Sequence, residues 1–407
     1  MPIISNAQSA AKSGPGKYFF PLTLVTCLFF LWGLAYGLLD VLNKHFQETL
    51  NITKSRSALL QMAYFGAYFL VALPAGIFMN RFGYKKGIIT GLLLYTAGAF
   101  LFYPSAQMQS FDFFLLALFV LASGLTFLET AANPYVTVLG NPETSAFRLN
   151  LSQSFNGVGS FIGPIIAASL FFGAGNTGNN LDSVKMVYII IGIVVLLIAL
   201  LFWRTQLPEI KESELVSELS QEIKPLFKHK NFTGAVFTQF FYVAAQVGIA
   251  AMFINYCTES DNDITNAKAS YLLSVSLLLF TIGRFAGTAL MRKIAPNVLL
   301  TSYAIAGILL CLIAVTIKGI VGIYSLVILF FFLSIMFPTI FALGVKDLGQ
   351  HTKKGSSFII MAILGGALVP YIMALVAEKQ STAIAYSIPG LCLVVVAWYG
   401  WRGFKTK

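Results

Sequence analysis

Residues 29–40 read FFLWGLAYGLLD, and 211 positions later residues 240–249 read FFYVAAQVGI. The same displacement carries AGIFMNR at 75–81 onto AGTALMR at 286–292. A third pair, PYVTVLG at 134–140 and PTIFALG at 338–344, is displaced by 204. Two matches sharing one displacement point to a duplicated chain whose second half repeats the first. All three pairs are largely apolar, so the repeated unit belongs in hydrocarbon.

The composition agrees. Of 407 residues, 57% are hydrophobic and 11% charged, with a mean hydropathy of +0.79. Soluble domains run near ~25% charged. The long apolar runs indicate helices; alternating barrel strands would read differently. Twelve runs of roughly 20 residues can be marked, at 19–43, 57–80, 87–104, 111–138, 149–172, 185–204, 231–256, 268–290, 297–316, 320–345, 356–377 and 384–402. The expected chain is an all-α membrane protein with twelve transmembrane helices. It divides into a tail at 1–18, a six-helix half at 19–204, a linker at 205–230, a second six-helix half at 231–402 and a tail at 403–407.

The net charge is +11 and the pI about 9.4. With the N-terminus inside, about 19 of the 27 Lys and Arg residues fall on the cytoplasmic side and about 7 outside. That asymmetry puts both termini, the tails and the linker in the cytoplasm, and explains the basic balance without nucleic acid. Cys27, Cys257, Cys311 and Cys392 form no CxxC pair; they read as packed thiols rather than a disulfide framework or metal site. No GxxxxGK[ST] loop, HExxH, nucleophile elbow or metal-ligand spacing is present. The chain is therefore not expected to be an enzyme or to need a cofactor. An ion gradient, or the substrate's own gradient, would drive it.

Only two acidic residues lie well inside spans: Asp40 in the first and Glu129 in the fourth. At the repeat displacements they correspond to Ala251 and Leu333, so the carboxylates belong to the first half alone. The one intramembrane base, Arg284, lies about a turn and a half from the cytoplasmic end of its span and is expected to snorkel there. Intramembrane charge is expensive and usually functional. A carboxyl without a permanent cation can take a proton from one side and release it on the other.

The remaining intramembrane polar residues suit a polyhydroxylated ligand. Trp32, Tyr36 and Asp40 recur every fourth residue on one helix face, as do Glu129 and Asn133. Gln153, Asn156 and Ser160 line the fifth span, and Gln239, Tyr242 and Gln246 the seventh. Side-chain amides both donate and accept, matching hydroxyls, although each taken singly reads equally well as helix–helix glue. The glycine and proline clusters GVGSFIGP at 157–164 and GGALVP at 365–370 favour close crossings or bends. Arg81, Arg148, Arg284 and Arg292 stand in strings that read as cytoplasmic gating brackets.

Several strings resemble the fucose–proton symporter family of the major facilitator superfamily: FFLWGLAYGLLD at 29–40, LETAANPYVTVLG at 128–140, FRLNLSQSFN at 147–156, GRFAGT at 283–288, FPTIFALGVKDLGQ at 337–350 and KKGSSFI at 353–359. The superfamily's loop motif matches less well, with Asn80 where an aspartate is usual. The resemblance implies two six-helix bundles rocking about a central site. It implies inward symport of a monosaccharide (fucose, galactose, glucose, mannose or an N-acetylhexosamine) with protons across a bacterial inner membrane. The family's functional carboxylates fall on Asp40 and Glu129, and its polar pair of the fifth helix on Gln153 and Asn156. Sodium coupling or uniport is the alternative, a non-transporting sensor a remote one, and a monomer is expected.

Overall fold

The computed structural model describes residues 19–138, 145–172, 181–205, 229–291, 293–345 and 358–403. The expected tail at 1–18, most of the linker at 205–230, nearly all of the tail at 403–407, and Arg292 lie outside them. Twelve helices among the described residues are long and apolar enough to span a membrane. They are α1 (Phe19–Thr49), α2 (Leu59–Phe82), α3 (Tyr84–Gln107), α4 (Phe111–Val138), α5 (Ser145–Phe171), α6 (Asp182–Arg204), α7 (Lys230–Ala251), α8 (Asn266–Leu290), α9 (Pro296–Thr316), α10 (Ile320–Gly344), α11 (Phe358–Lys379) and α12 (Thr382–Gly403).

Local signals set several boundaries. Gly83 ends α2 with φ 86°, a conformation a side chain would resist, and its N–H reaches Met79 O. Thr265 caps α8 by accepting from Lys268 N at 3.3 Å. Pro296 opens α9, where its missing N–H costs nothing. Two spans are interrupted. α7 stops at Met252 and resumes as a short helix, Phe253–Ser260. α10 breaks between Leu333 and Met336, just before Pro338.

Helix packing repeats with a shift of six. In the first half α1 packs on α5, α2 on α4, and α3 on both α4 and α6. In the second, α7 packs on α11, α8 on α10, and α9 on both α10 and α12. The seams between halves are symmetric too: α5 lies on α8, and α11 lies on α2. The duplication in the sequence is therefore a duplication of packing.

α1 and α5 cross backbone to backbone. A Cβ on Gly33 would lie 1.9 Å from Asn156 O, and one on Gly159 2.2 Å from Phe30 O. This is the close crossing expected of the 157–164 cluster. The 365–370 cluster does the same in the second half, where a Cβ on Gly365 would meet Phe240 O of α7 at 2.1 Å. All four cysteines are free; three are buried as expected, whereas Cys27, on α1, is exposed.

One end of the molecule is latched across the two halves. A short helix, Lys54–Ser57, joins α1 to α2 there. Lys54 Nζ reaches Glu259 at 2.5 Å and donates to Thr382 Oγ1 at 3.0 Å. Ser55 Oγ donates to Glu378 Oε2 at 3.0 Å, and Ser55 N donates to the other carboxylate oxygen. Asn266 Nδ2 donates to Glu48 Oε2 at 2.6 Å. Every one of these contacts joins a first-half residue to a second-half residue.

Candidate functional site

The α1–α5 crossing fixes α1 as the inner helix of its bundle. Trp32, Tyr36 and Asp40 share its inward face. Asp40 is 2% exposed, and its Oδ2 has no hydrogen-bond partner. Tyr36 lies close to Asp40, to Tyr64 of α2 and to Tyr242 of α7, so it stands where the halves meet. Trp32 and Glu129 line one cavity between α1 and α4, together with Leu28, Phe29, Leu128 and Ala132. The cavity holds about 10 Å³, room for a water but not for a hexose.

Glu129 Oε2 is likewise buried without a partner, and the Tyr68 hydroxyl of α2 lies beside that carboxyl. The ion pairs among the described residues are Lys44–Glu48, Lys54–Glu259, Arg56–Asp112 and Lys185–Asp182. Asp40 and Glu129 are in none of them. Arg284 does not balance them either. It was expected to snorkel, yet its guanidinium turns inward, with Nε 3.5 Å from Ser334 O and Cζ 5.0 Å from the Phe280 ring. The α10 break frees the Ser334 carbonyl region to receive it.

α2 contributes a face absent from the expectations. Gln61, Tyr64 and Tyr68 lie three and four residues apart on one side of the helix. The Tyr64 and Tyr68 rings lie 5.4 Å apart between centroids, tilted by 30°, and neither hydroxyl completes a hydrogen bond. Tyr64 also approaches Trp32. An aromatic stripe in a span reads as core, which hid this one. The signal available was Gln61, an amide in an apolar run.

The other expected residues are placed as follows. Asn156 Nδ2 donates to Phe29 O at 3.2 Å, joining α5 to α1. Gln153 is half-buried on the same helix. On α7, Gln239 is fully buried with both amide atoms unpartnered, and Gln246 is half-buried. Tyr242 is buried, and its hydroxyl donates to Leu333 O at 2.8 Å. Arg81 is exposed, 5.3 Å from the Phe82 ring. Asn133 and Arg148 belong to α4 and α5, but their side chains lie outside the described residues.

Residues 25–370 match the Major Facilitator Superfamily profile. The chain is 39% identical to the L-fucose-proton symporter of Escherichia coli (strain K12) over 93% of its own length and 92% of that protein. This chain belongs to the major facilitator superfamily, within its fucose–proton symporter family. It is also 35% identical to the glucose/galactose transporter of Brucella abortus biovar 1, covering 99% of this chain and 98% of that one. Among solved structures, the major facilitator transporter FucP in the outward conformation superposes with a TM-score of 0.71 at 37% identity, covering 96% of this chain and all of FucP. The family's fold of two six-helix bundles is the one described above. Its curated members here are named as transporters and symporters, so the chain's chemistry is translocation, not catalysis.

Proposed function

We propose that this chain imports a monosaccharide together with protons by alternating access. The observation that carries the reading is the pair of buried carboxyls, Asp40 and Glu129, each with an unpartnered oxygen and neither in an ion pair among the described residues. An ionised carboxyl held so would cost several kcal/mol. Glu129 is the group that takes a proton outside and loses it inside. Asp40 links sugar occupancy to that proton.

The sugar contacts assigned are Trp32, whose ring packs on an apolar sugar face, with Tyr36, Asn133, Gln153, Asn156, Gln239 and Gln246. Tyr242, with its hydroxyl held by Leu333, offers its ring. The water-sized cavity between α1 and α4 must widen for a hexose to enter, which a rocking of the bundles provides. The asymmetry of Lys and Arg supports a cytoplasmic-membrane location with both termini inside. The latch is then on the outer side, and this structure is shut outside, whereas the related FucP was solved in the outward conformation. The relatives' names, L-fucose symporter and glucose/galactose transporter, bracket the substrate class.

The test is the pH outside de-energised proteoliposomes on adding L-fucose, D-galactose, D-glucose, D-mannose or N-acetylglucosamine singly. One sugar should alkalinise the medium without sodium. Glu129→Gln should keep sugar counterflow and lose uphill accumulation. Sodium-dependent uptake without a pH change, or accumulation by Glu129→Gln, would overturn proton symport.

A further inference from the structure

A groove of about 460 Å³ opens between α3 and α6. Its lining is wholly apolar: Ile89 and Leu93 of α3, with Leu196, Ala199, Leu200 and Trp203 of α6. Ala199 is buried at its floor, and Leu93, Leu200 and Trp203 are exposed along its sides. α6 packs chiefly on α3 and makes no listed seam with the second half, so the groove faces lipid and stands apart from the cavity between α1 and α4. An apolar lining offers water no hydrogen-bond partners. In a bilayer such a groove takes hydrocarbon. From the start of α3 at Tyr84 down to Leu93 it runs roughly 14 Å at the helical rise per residue. That is about half of the ~30 Å hydrocarbon core, the depth of one leaflet.

The mouth of the groove is basic. Lys85 Nζ donates to Trp203 O at 3.0 Å, which sets its ammonium at the end of the lining and leaves it two further donors. Arg204 follows Trp203 and is exposed. Lys86 Nζ and Arg81 Cζ flank one ring, 5.8 and 5.3 Å from the Phe82 centroid. None of these four cations is in an ion pair among the described residues. The positive-inside bias accounts for basic residues at this end of the spans. It does not account for their convergence on the mouth of an acyl-sized slot. Like charges gathered there repel one another unless an anion joins them.

We propose that this groove binds an anionic phospholipid, with an acyl chain between α3 and α6 and the phosphate held by Lys85, Lys86 and Arg204. A zwitterionic lipid would bring its own ammonium to the same cations and fits less well. In the orientation proposed above, the mouth meets the cytoplasmic leaflet, whose anionic lipids attract Lys and Arg beside a span. The bound lipid would tie the outer helix α6 to the junction of α2 and α3.

Trp203, 70% exposed on the groove, is the probe. Brominated acyl chains quench tryptophan on contact. The full-length protein is placed in bilayers mixing phosphatidylcholine with phosphatidylglycerol, with bromine on the chains of one lipid or the other. Subtracting the signal of Trp203→Phe isolates Trp203 from the other tryptophans. Trp203 should favour phosphatidylglycerol by at least about fivefold, the worth of one juxtamembrane cation. The preference should fall below about twofold in the triple variant Lys85→Gln, Lys86→Gln, Arg204→Gln. Equal quenching by both lipids in the native protein, an undiminished preference in the triple variant, or a Trp203 that neither lipid reaches would overturn the proposal. Native-like thermal unfolding shows that the triple variant is folded. Should it not fold, the double variant Lys86→Gln, Arg204→Gln, which leaves Lys85 on Trp203, decides by the same readings.

Discussion

Asp40 and Glu129 could be read from the sequence because a carboxylate in an apolar run stands out at once. Tyr64 and Tyr68 could not, because a tyrosine in a span is ordinarily core or interface. Their importance comes from what α2 packs against. Tyr68 lies beside Glu129 with its hydroxyl unpartnered, so it is free to donate once Glu129 ionises, and a hydrogen bond to a charged group contributes about 1.5–3 kcal/mol. Tyr68→Phe therefore withdraws support from the ionised, proton-releasing form. Uphill accumulation should fall at least fivefold while counterflow, which needs no proton release, stays within twofold. Equal loss of both would assign Tyr68 to packing. Tyr242 is the converse case. The sequence pattern set it beside Gln239 and Gln246, but its hydroxyl is held by Leu333 O. Tyr242→Phe should lower stability in detergent by about 1 kcal/mol and leave the sugar KM within twofold.

Among the elements, the α1–α5 crossing decides where the site's side chains stand. The sequence showed the glycines of α5 and their use in a close crossing, but not the partner helix. Partner choice is tertiary, and only the packed structure pairs Gly159 and Gly163 with the backbone of Phe30, Leu34 and Gly37. Because the obstacle at Gly33 is the backbone carbonyl of Asn156, no rotamer change can relieve a new Cβ. Gly33→Ala should destabilise the protein by at least about 1–3 kcal/mol, the usual cost of overpacking. It should also weaken sugar binding, by moving Trp32 and Asn156 apart. Gly66 in α2 is the control: a Cβ there meets nothing within 4 Å. Gly66→Ala should be neutral or stabilise by up to about 1 kcal/mol through helix propensity. Thermal unfolding of the two variants side by side, with sugar affinity measured on each, separates these outcomes.

At the scale of the whole molecule, three short repeated strings were enough to anticipate two bundles, because the repeat in sequence became a repeat in packing. The latch was not legible, since Glu48, Lys54, Glu259, Asn266 and Glu378 sit far apart in the chain and look like ordinary loop-side polar residues. Its strength can be bounded. Lys54 and Glu259 are partly exposed, and such pairs contribute about 0.2–1 kcal/mol. Breaking one should shift the closed-to-open ratio by roughly 1.5- to 5-fold, not abolish closure. Lys54→Ala should therefore raise the outward-open fraction within that range, and Glu378→Gln should do so by a similar amount. Because Lys54 also acts electrostatically on Glu378, the two substitutions together should shift the ratio by less than the product of their separate effects. Raising salt from low to physiological strength should move the native protein in the same direction, because exposed pairs are screened, and should move Lys54→Ala less. Thiol labelling of a cysteine placed at Trp32, reachable only from the outside when the latch is open, reads all of these at once. Faster labelling in Lys54→Ala that responds less to salt is the expected result. Unchanged labelling would mean that the bundles are held shut by the apolar seams of α5 on α8 and α2 on α11, with the polar contacts merely riding on them.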